Sequence, residues 1–273
     1  MNVTRLIAQA IEKPWGRTDI PSPAMSTHGE EPIGEVWFSP ESEEHLPLLV
    51  KYIYTGEDLS IQVHPNDEQA RAQGLPGGKS ECWYILDAEP GAQVAIGLKQ
   101  QISVEELGIA ALDGSIEGLL DWKPAQAGSF YYIAGGTVHA IGKGITLVEV
   151  QQNNPITYRL YDYGRPRELH LEQALSVSQA RPSILPDRVV PAMAEERLIT
   201  GLEEPFIVDI IQAQAGTERR VNSDLMWFVP LVGRGLIGGS SWTAGECWLI
   251  EGDTSISASV PMSAILAYLP EAA

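Results

Sequence analysis

Three short segments carry the side chains able to do chemistry. In Leu59-Ser60-Ile61-Gln62-Val63-His64-Pro65, a strand would put Ser60, Gln62 and His64 on one face and Ile61 and Val63 on the other. A solvated outer face is the rival reading of that segment alone. In Lys79-Ser80-Glu81, which runs into the apolar Cys82–Leu86, the cation and the carboxylate again share a face. The third segment runs from Gly128 through Ser129–Ile133 and a Gly135-Gly136 turn to His139. A lone strand histidine is usually a satisfied polar residue, but with the other pieces the metal reading wins. Two imidazoles, one carboxylate and one amide offer nitrogen and oxygen donors without thiolate. That set suits Zn²⁺, or Mn²⁺, Co²⁺ or Fe²⁺ in the same site, one ion per chain. With a single carboxylate the ion keeps positive charge and can act as a Lewis acid toward hydroxyl or carbonyl oxygens.

The elements that must position these residues read as short strands with close turns. The strand expectations are Leu46–Tyr54, Leu59–His64, Glu81–Asp87, Gln93–Leu98, Ser129–Ile133, Thr137–Ile141, Thr146–Gln151 and Thr157–Tyr161. After a proline-rich stretch, Ala180–Pro191, come Phe206–Gln212, Leu225–Val232, Cys247–Ile250 and Ser263–Tyr268. Helical spacing is confined to Asn66–Gln73, to residues 102–121 with a break at Asp113-Gly114, and to Leu171–Val177. Residues 1–45 read as loops and short strands wrapping sheet edges. The 26 Gly and 19 Pro favour such a turn-rich fold. All five histidines, His28, His45, His64, His139 and His170, precede residue 171, so metal chemistry belongs to the first half. His28 and His45 read as surface residues, and His170 as the start of a short helix with no catalytic role. Glu81-Cys82-Trp83 recurs as Glu246-Cys247-Trp248, and the recurrence reads as coincidence.

The net charge of −18 opposes binding to nucleic acid or anionic membrane. It also means that an anionic substrate needs a local cluster of Lys and Arg. Two cysteines make no disulfide framework, the first residues lack a signal-peptide core, and no stretch reaches the length of a membrane span. The expectation is a cytoplasmic protein; oligomeric state stays open.

The Gly128–His139 segment has the spacing of the second cupin motif. The ordered set Leu48–Lys51, Leu59–Pro65, Lys79–Leu86, Gly136–Ala140, Glu149–Gln152 and Thr157–Arg165 resembles the type I mannose-6-phosphate isomerases (phosphomannose isomerases), over about residues 10–180. The resemblance implies a mainly β fold: two cupin-like (jelly-roll) β-barrel domains with a small helical insertion at about 102–121. A metal-binding domain would span 1–182 and a degenerate domain without ligands 183–273. It implies zinc ligation by Gln62, His64, Glu81 and His139, phosphate recognition near Lys51 and Ser60 with Arg159 or Arg165 as a further phosphate contact, and Lys79, Glu149, Arg159 and Arg165 around the sugar. The implied reaction interconverts mannose 6-phosphate and fructose 6-phosphate through a cis-enediol, with Lys79 or Glu149 as candidate general base and Arg159 in a catalytic role. An isomerase or epimerase for another sugar phosphate and a non-catalytic sugar-phosphate-binding cupin are the alternatives. The family pattern usually carries Asn-Ser-Asp where this chain has Asn153-Asn154-Pro155. A mechanism that uses that aspartate is not available here.

Overall fold

The structure, a computed structural model, describes residues 2–20, 31–184, 188–191 and 193–270. Its strands form three sheets. A seven-stranded sheet runs in the order Arg188–Val189, Ser129–Ile133, Glu81–Ala88, Ile145–Gln152, Leu48–Tyr54, Ile33–Ser39 and Ile7–Arg17. A five-stranded sheet faces it, ordered Tyr158–Tyr161, Ile61–Val63, His139–Ile141, Gln93–Leu98 and Leu120–Pro124. The third, eight-stranded, is built from residues 196–268 with Asn2–Arg5 added beside Trp248–Ala258. The fold is therefore mainly β, in two cupin-like units, with the helices Val104–Asp113 and Ile116–Leu119 inserted in the first.

Two-residue alternation explains how the seven-stranded sheet is used twice. Val50, Tyr52, Tyr54, Cys82, Tyr84, Val148 and Val150 point to one face and join Phe206, Val208, Trp227, Val229, Cys247 and Ile265 of the third sheet in one core. Ile53, Trp83, Ile85, Ile133 and Leu147 point to the other, where they meet Val94, Ile96 and Ile141 of the five-stranded sheet. The outer face of that five-stranded sheet, Ile61, Val63, Ala95, Ala140 and Leu160, is covered by Leu107, Ala110 and Ala111 of the inserted helix and by Ala174 and Val177 of Leu171–Val177. Among the described residues no helix is long and apolar enough to cross a membrane.

Most expected strands are present within a few residues. Asp67–Ala72 is capped by Asn66 in a full capping box with Gln69, which satisfies two end N–H groups reciprocally. The stretch before residue 46 departs from expectation. Ile7–Arg17 and Ile33–Ser39 are full strands of the seven-stranded sheet, paired Gln9 to Trp37 and Ala10 to Val36. Ile7–Arg17 lies at the sheet edge with many exposed positions, so its text lacks the apolar density of an interior strand. Leu120–Pro124 is a strand whose first two residues overlap the end of the helical pattern over residues 102–121.

Candidate metal centre and its cavity

The register sets the site. On the five-stranded sheet His139 pairs with Gln62 on one side and Ile96 on the other, and Gln62 pairs with Arg159. One inward-facing row therefore runs Ile96, His139, Gln62, Arg159. On the opposing sheet Trp37, Lys51, Glu149 and Trp83 form a second row, and Gln151 with Glu81 the start of the next. His64 ends its strand at a place where backbones touch. The Gly136 N–H donates to the His64 carbonyl at 2.6 Å, with Gly136 at φ 91°, and the Lys79 N–H donates to the Pro65 carbonyl. A Cβ on Gly78 or Gly135 would come within 2.5 Å of the Asn66 backbone. Glycine at these positions lets the loops carrying His64, Lys79 and His139 close on one another.

Ligand atoms of His64, Glu81 and His139 lie within 4.8 Å of one another, and all three residues are buried. The His139 Nδ1–H donates to the Thr137 carbonyl at 2.8 Å, which leaves Nε2 bare and aimed at Glu81 Oε1, 3.5 Å away. His64 Nε2 is 3.3 Å from Glu81 Oε2, and buried His64 Nδ1 has no partner. The Gln62 amide nitrogen is 3.3 Å from His139 Nε2, so a half-turn of the amide presents Oε1 there. Burial, then the Lys79 ammonium, pushes His64 down to about 3. Burial likewise lowers His139. Burial opposes ionisation of Glu81, but Lys79 and the two imidazoles prevail and hold it well below the usual carboxylate range. Two neutral imidazoles, a carboxylate and an amide are a donor set that fits a divalent cation.

Above this cluster opens a cavity of about 420 Å³. Lys51, Ser60, Gln62, Lys79, Glu149 and Arg159 all line it. Lys79 Nζ is 2.5 Å from Glu81 Oε2 and 2.9 Å from His64 Nε2. Lys51 Nζ donates to Glu149 Oε1 at 3.0 Å, and the Trp83 indole donates to Oε2 at 3.0 Å. Burial and the Glu81 charge raise Glu149. Burial pulls Lys51 down, yet Glu149, Glu35 and Glu81 together leave it raised. Ser60 Oγ donates to Gln62 Oε1 at 3.2 Å.

Arg165 is not brought to this cavity. Its guanidinium is spent on Asp162 at 3.2 Å and on the Asp58 carbonyl. Arg167, two residues on, lines the cavity instead, as does His170, which did start the helix as expected. His45 is exposed, and His28 lies outside the described residues. Sequence reasoning also missed Lys13, Trp15, Glu35 and Trp37. The signal was there in Lys13-Pro14-Trp15 and Glu35-Val36-Trp37, where charge and indole alternate at strand spacing. Pro155 lines the cavity mouth.

Comparison with known proteins follows this geometry. A mannose-6-phosphate isomerase of Bacillus subtilis is 41% identical over 187 residues, 63% of this chain and 58% of that protein. A crystal structure of a Bacillus subtilis mannose 6-phosphate isomerase superposes with a TM-score of 0.76 at 26% identity, covering 98% of this chain and 100% of that one. A zinc-bound mannose 6-phosphate isomerase shares the fold at 13% identity, with a TM-score of 0.72 over 98% of this chain and 99% of that one. The chain resembles the phosphomannose isomerases in sequence and in fold. No protein-family model matches it. The matches span about half the length of the curated relatives.

Proposed function

We propose that the chain is a metal-dependent aldose-ketose isomerase that interconverts mannose 6-phosphate and fructose 6-phosphate. The observation that carries the reading is the buried His64–Glu81–His139 cluster, joined through Lys79 and Gln62 to a cavity that Lys51, Lys79, Gln62 and Arg159 line. Zinc, the ion named for one solved protein of this fold, would be held by Gln62, His64, Glu81 and His139, one per chain. When bound, it supplies Lewis-acid stabilisation of charge developing on the sugar oxygens.

The chain's own residues do the rest. Isomerisation moves one proton between C1 and C2 of the open-chain sugar through a cis-enediol. The proton needs a base within hydrogen-bond reach. Glu149 and Lys79 are the two candidates at the cavity floor. Burial and the Glu81 charge raise the Glu149 pKa, the direction that favours a carboxylate as a proton acceptor. Lys51 and the Trp83 indole fix its two oxygens. Lys79 is held between Glu81 and His64 and faces the same space. Pro155 carries no proton, so the acidic residue usual in the family has no part in this chain. Ser60 orients Gln62, and the apolar lining residues Ile53, Leu59 and Ile141 limit water around the reacting carbons.

The first unit, expected at 1–182, would hold the chemistry and the second, 183–273, would support it, with Asn2–Arg5 crossing to the second unit's sheet and Arg188–Val189 to the first's. Two free buried cysteines suit a reducing, cytoplasmic setting, which belongs to the same proposal. The test is formation of fructose 6-phosphate from mannose 6-phosphate before and after chelation, with elemental analysis of the same sample. Turnover that disappears with the metal and returns on its restoration is expected. Metal-replete protein without turnover would overturn the reading.

A further inference from the structure

The two histidines of the metal-ligand cluster are aimed in different ways. His139 is held through its ring, since Nδ1–H donates to the Thr137 carbonyl at 2.8 Å. A second bond of this kind fixes tautomer and direction in a metal-ligating histidine. His64 has none. Its ring is buried, Nε2 lies 3.3 Å from Glu81, and among the described residues no group bonds Nδ1. The direction of His64 must then come from its backbone, and Gly136 holds that backbone by donating its N–H to the His64 carbonyl at 2.6 Å. Gly136 belongs to the turn at residues 134–137, closed by the Thr137 N–H donating to the Ala134 carbonyl at 3.1 Å. The same turn supplies the Thr137 carbonyl. Both imidazoles therefore depend on where this one turn sits.

A strap of residues 177–182, leaving the helix Leu171–Val177, ties this turn down. The Gln179 N–H donates to the Gly136 carbonyl at 2.7 Å, and Thr137 and Gln179 form an isolated parallel bridge. The Gln179 side chain adds to the tie. Its Oε1 accepts from Arg181 Nε at 3.1 Å and Nη2 at 2.8 Å. A guanidinium only donates, so the amide oxygen must be the end that faces it. Nε2 is thereby turned to the Gly135 carbonyl, 3.5 Å away. It also packs on Gly136 so closely that a Cβ there would stand 2.9 Å from Nε2. The strap reaches the His64 loop as well. The Gln69 side chain accepts from the Asn66 N–H at 3.0 Å and donates to the Val177 carbonyl at 3.1 Å. The strap is itself anchored to the first unit, since the Leu98 N–H donates to the Arg181 carbonyl at 3.1 Å and the Ile102 N–H to the Ala180 carbonyl at 3.0 Å.

We propose that residues 177–182 are a positioning strap for the metal centre, with Gln179 as its positioning residue. By fixing the turn at 134–137 it fixes the His64 backbone and the carbonyl that aims His139, and so it slows release of the bound ion. Ligands held in place before the ion arrives lose less freedom on binding it. The helix ahead of the strap is secured separately by Ala174 and Val177 in the outer core, so loosening Gln179 need not loosen the fold. The proposal rests on the ligand assignment above and not on the sugar-phosphate substrate.

The test is release of zinc from the loaded full chain into excess chromogenic chelator, with melting temperatures taken with and without metal. Gln179→Ala removes the side-chain tie and keeps the main-chain one. Release should quicken by about threefold or more, the scale of one neutral hydrogen bond, with the metal-free melting temperature unchanged. Gln179→Pro removes the main-chain donor too. Ser178 before it is already extended, at φ −69° and ψ 130°, the conformation that a following proline needs. Release should then quicken by about tenfold or more, as when a metal ligand loses an outer partner. Leu175→Ala is the structural control. The Leu175 side chain lies over Gly108 of the inserted helix and makes none of these bonds. Its loss should lower both melting temperatures and leave release at the wild-type rate. Equal quickening in Leu175→Ala and Gln179→Ala would overturn the proposal by making the effect one of stability. So would wild-type release in Gln179→Ala, or a wild type that takes up no zinc, which would sink the ligand assignment with it. Faster release from Gln179→Ala, in a wild type that holds zinc without isomerising mannose 6-phosphate, would uphold the strap and sink the isomerase reading.

Discussion

The two β units pack against one shared core and fill their own interiors in opposite ways. In the first, the buried residues between the sheets include Lys51, Lys79, Glu81, Glu149, His64 and His139. In the second, the interior is Met226, Phe228, Trp242, Trp248, Ile250, Met262 and Leu266. Among the described residues beyond 190 the only buried polar side chains are Thr254 and Ser263. The recurrent Glu-Cys-Trp makes the contrast local. Cys82 and Cys247 both enter the shared core. Glu81 faces the two imidazoles, but Glu246 accepts from the Trp248 indole at 2.9 Å and pairs with Arg5 at 3.0 Å. A scaffold of this kind is stable with an apolar interior. The charges in the first unit cost desolvation that hydrophobic residues of similar size would not. The proposed metal and sugar-phosphate binding would account for them.

That contrast can be broken in order of expected effect. His64→Ala removes one of three mutually close ligand atoms. It should abolish metal binding and lower turnover by more than about a thousandfold, read by elemental analysis and the coupled assay. Stoichiometric metal retained in that variant would sink the ligand assignment. Trp242→Ala empties an interior position of the second unit, where Trp242 is 2% exposed and packs edge-on to Phe228 at 5.3 Å. It should cost about 3–5 kcal/mol in urea unfolding and leave metal content unchanged. The Lys51–Glu149 pair tests the cost of charge directly. Lys51→Met strands a buried carboxylate and should destabilise by about 3 kcal/mol. Adding Glu149→Leu should restore that stability, or exceed wild type by about 1 kcal/mol or more, without restoring activity. A double variant less stable than Lys51→Met alone would mean that the pair serves the fold.

The metal-centre residues were legible because strand alternation is local. Gln62 with His64, and Lys79 with Glu81, announce a shared face two residues apart. What sequence could not give was cross-strand order. Lys51 beside Glu149, and Arg159 beside Gln62, are set by register between segments about a hundred residues apart. Arg165 and Arg167 illustrate the limit. They lie two residues apart on the loop after Tyr158–Tyr161, and the fold-back at Tyr163 and Gly164 decides which one reaches the cavity. The N-terminal strands run longer than expected for another reason. Their apolar residues alternate with charges because one face of Ile7–Arg17 is open to solvent, and that edge position is a property of the assembled sheet.

Acid should separate the two units most finely. Glu35 lies in the first unit, where burial works against its ionisation, but Lys51, Lys13 and the Trp37 indole outweigh burial and hold its pKa below the ordinary 4.5. A carboxylate depressed by folding contributes stability that is present above its unfolded value and disappears as pH falls through the folded one. The contribution should therefore be whole at pH 6 and be lost progressively on the acid side of 4.5. Glu149 does the reverse, since burial and Glu81 raise its pKa and protonation relieves it. Glu35→Gln should then show a smaller drop in unfolding free energy between pH 6 and about pH 3.5 than wild type, over the window set by the depressed carboxylate. Trp242→Ala, less stable throughout, should keep the wild-type drop, because no buried carboxylate lies among the described residues of its unit. An acid drop in Glu35→Gln equal to that of wild type would remove Glu35 from the charge row that distinguishes the first unit's interior.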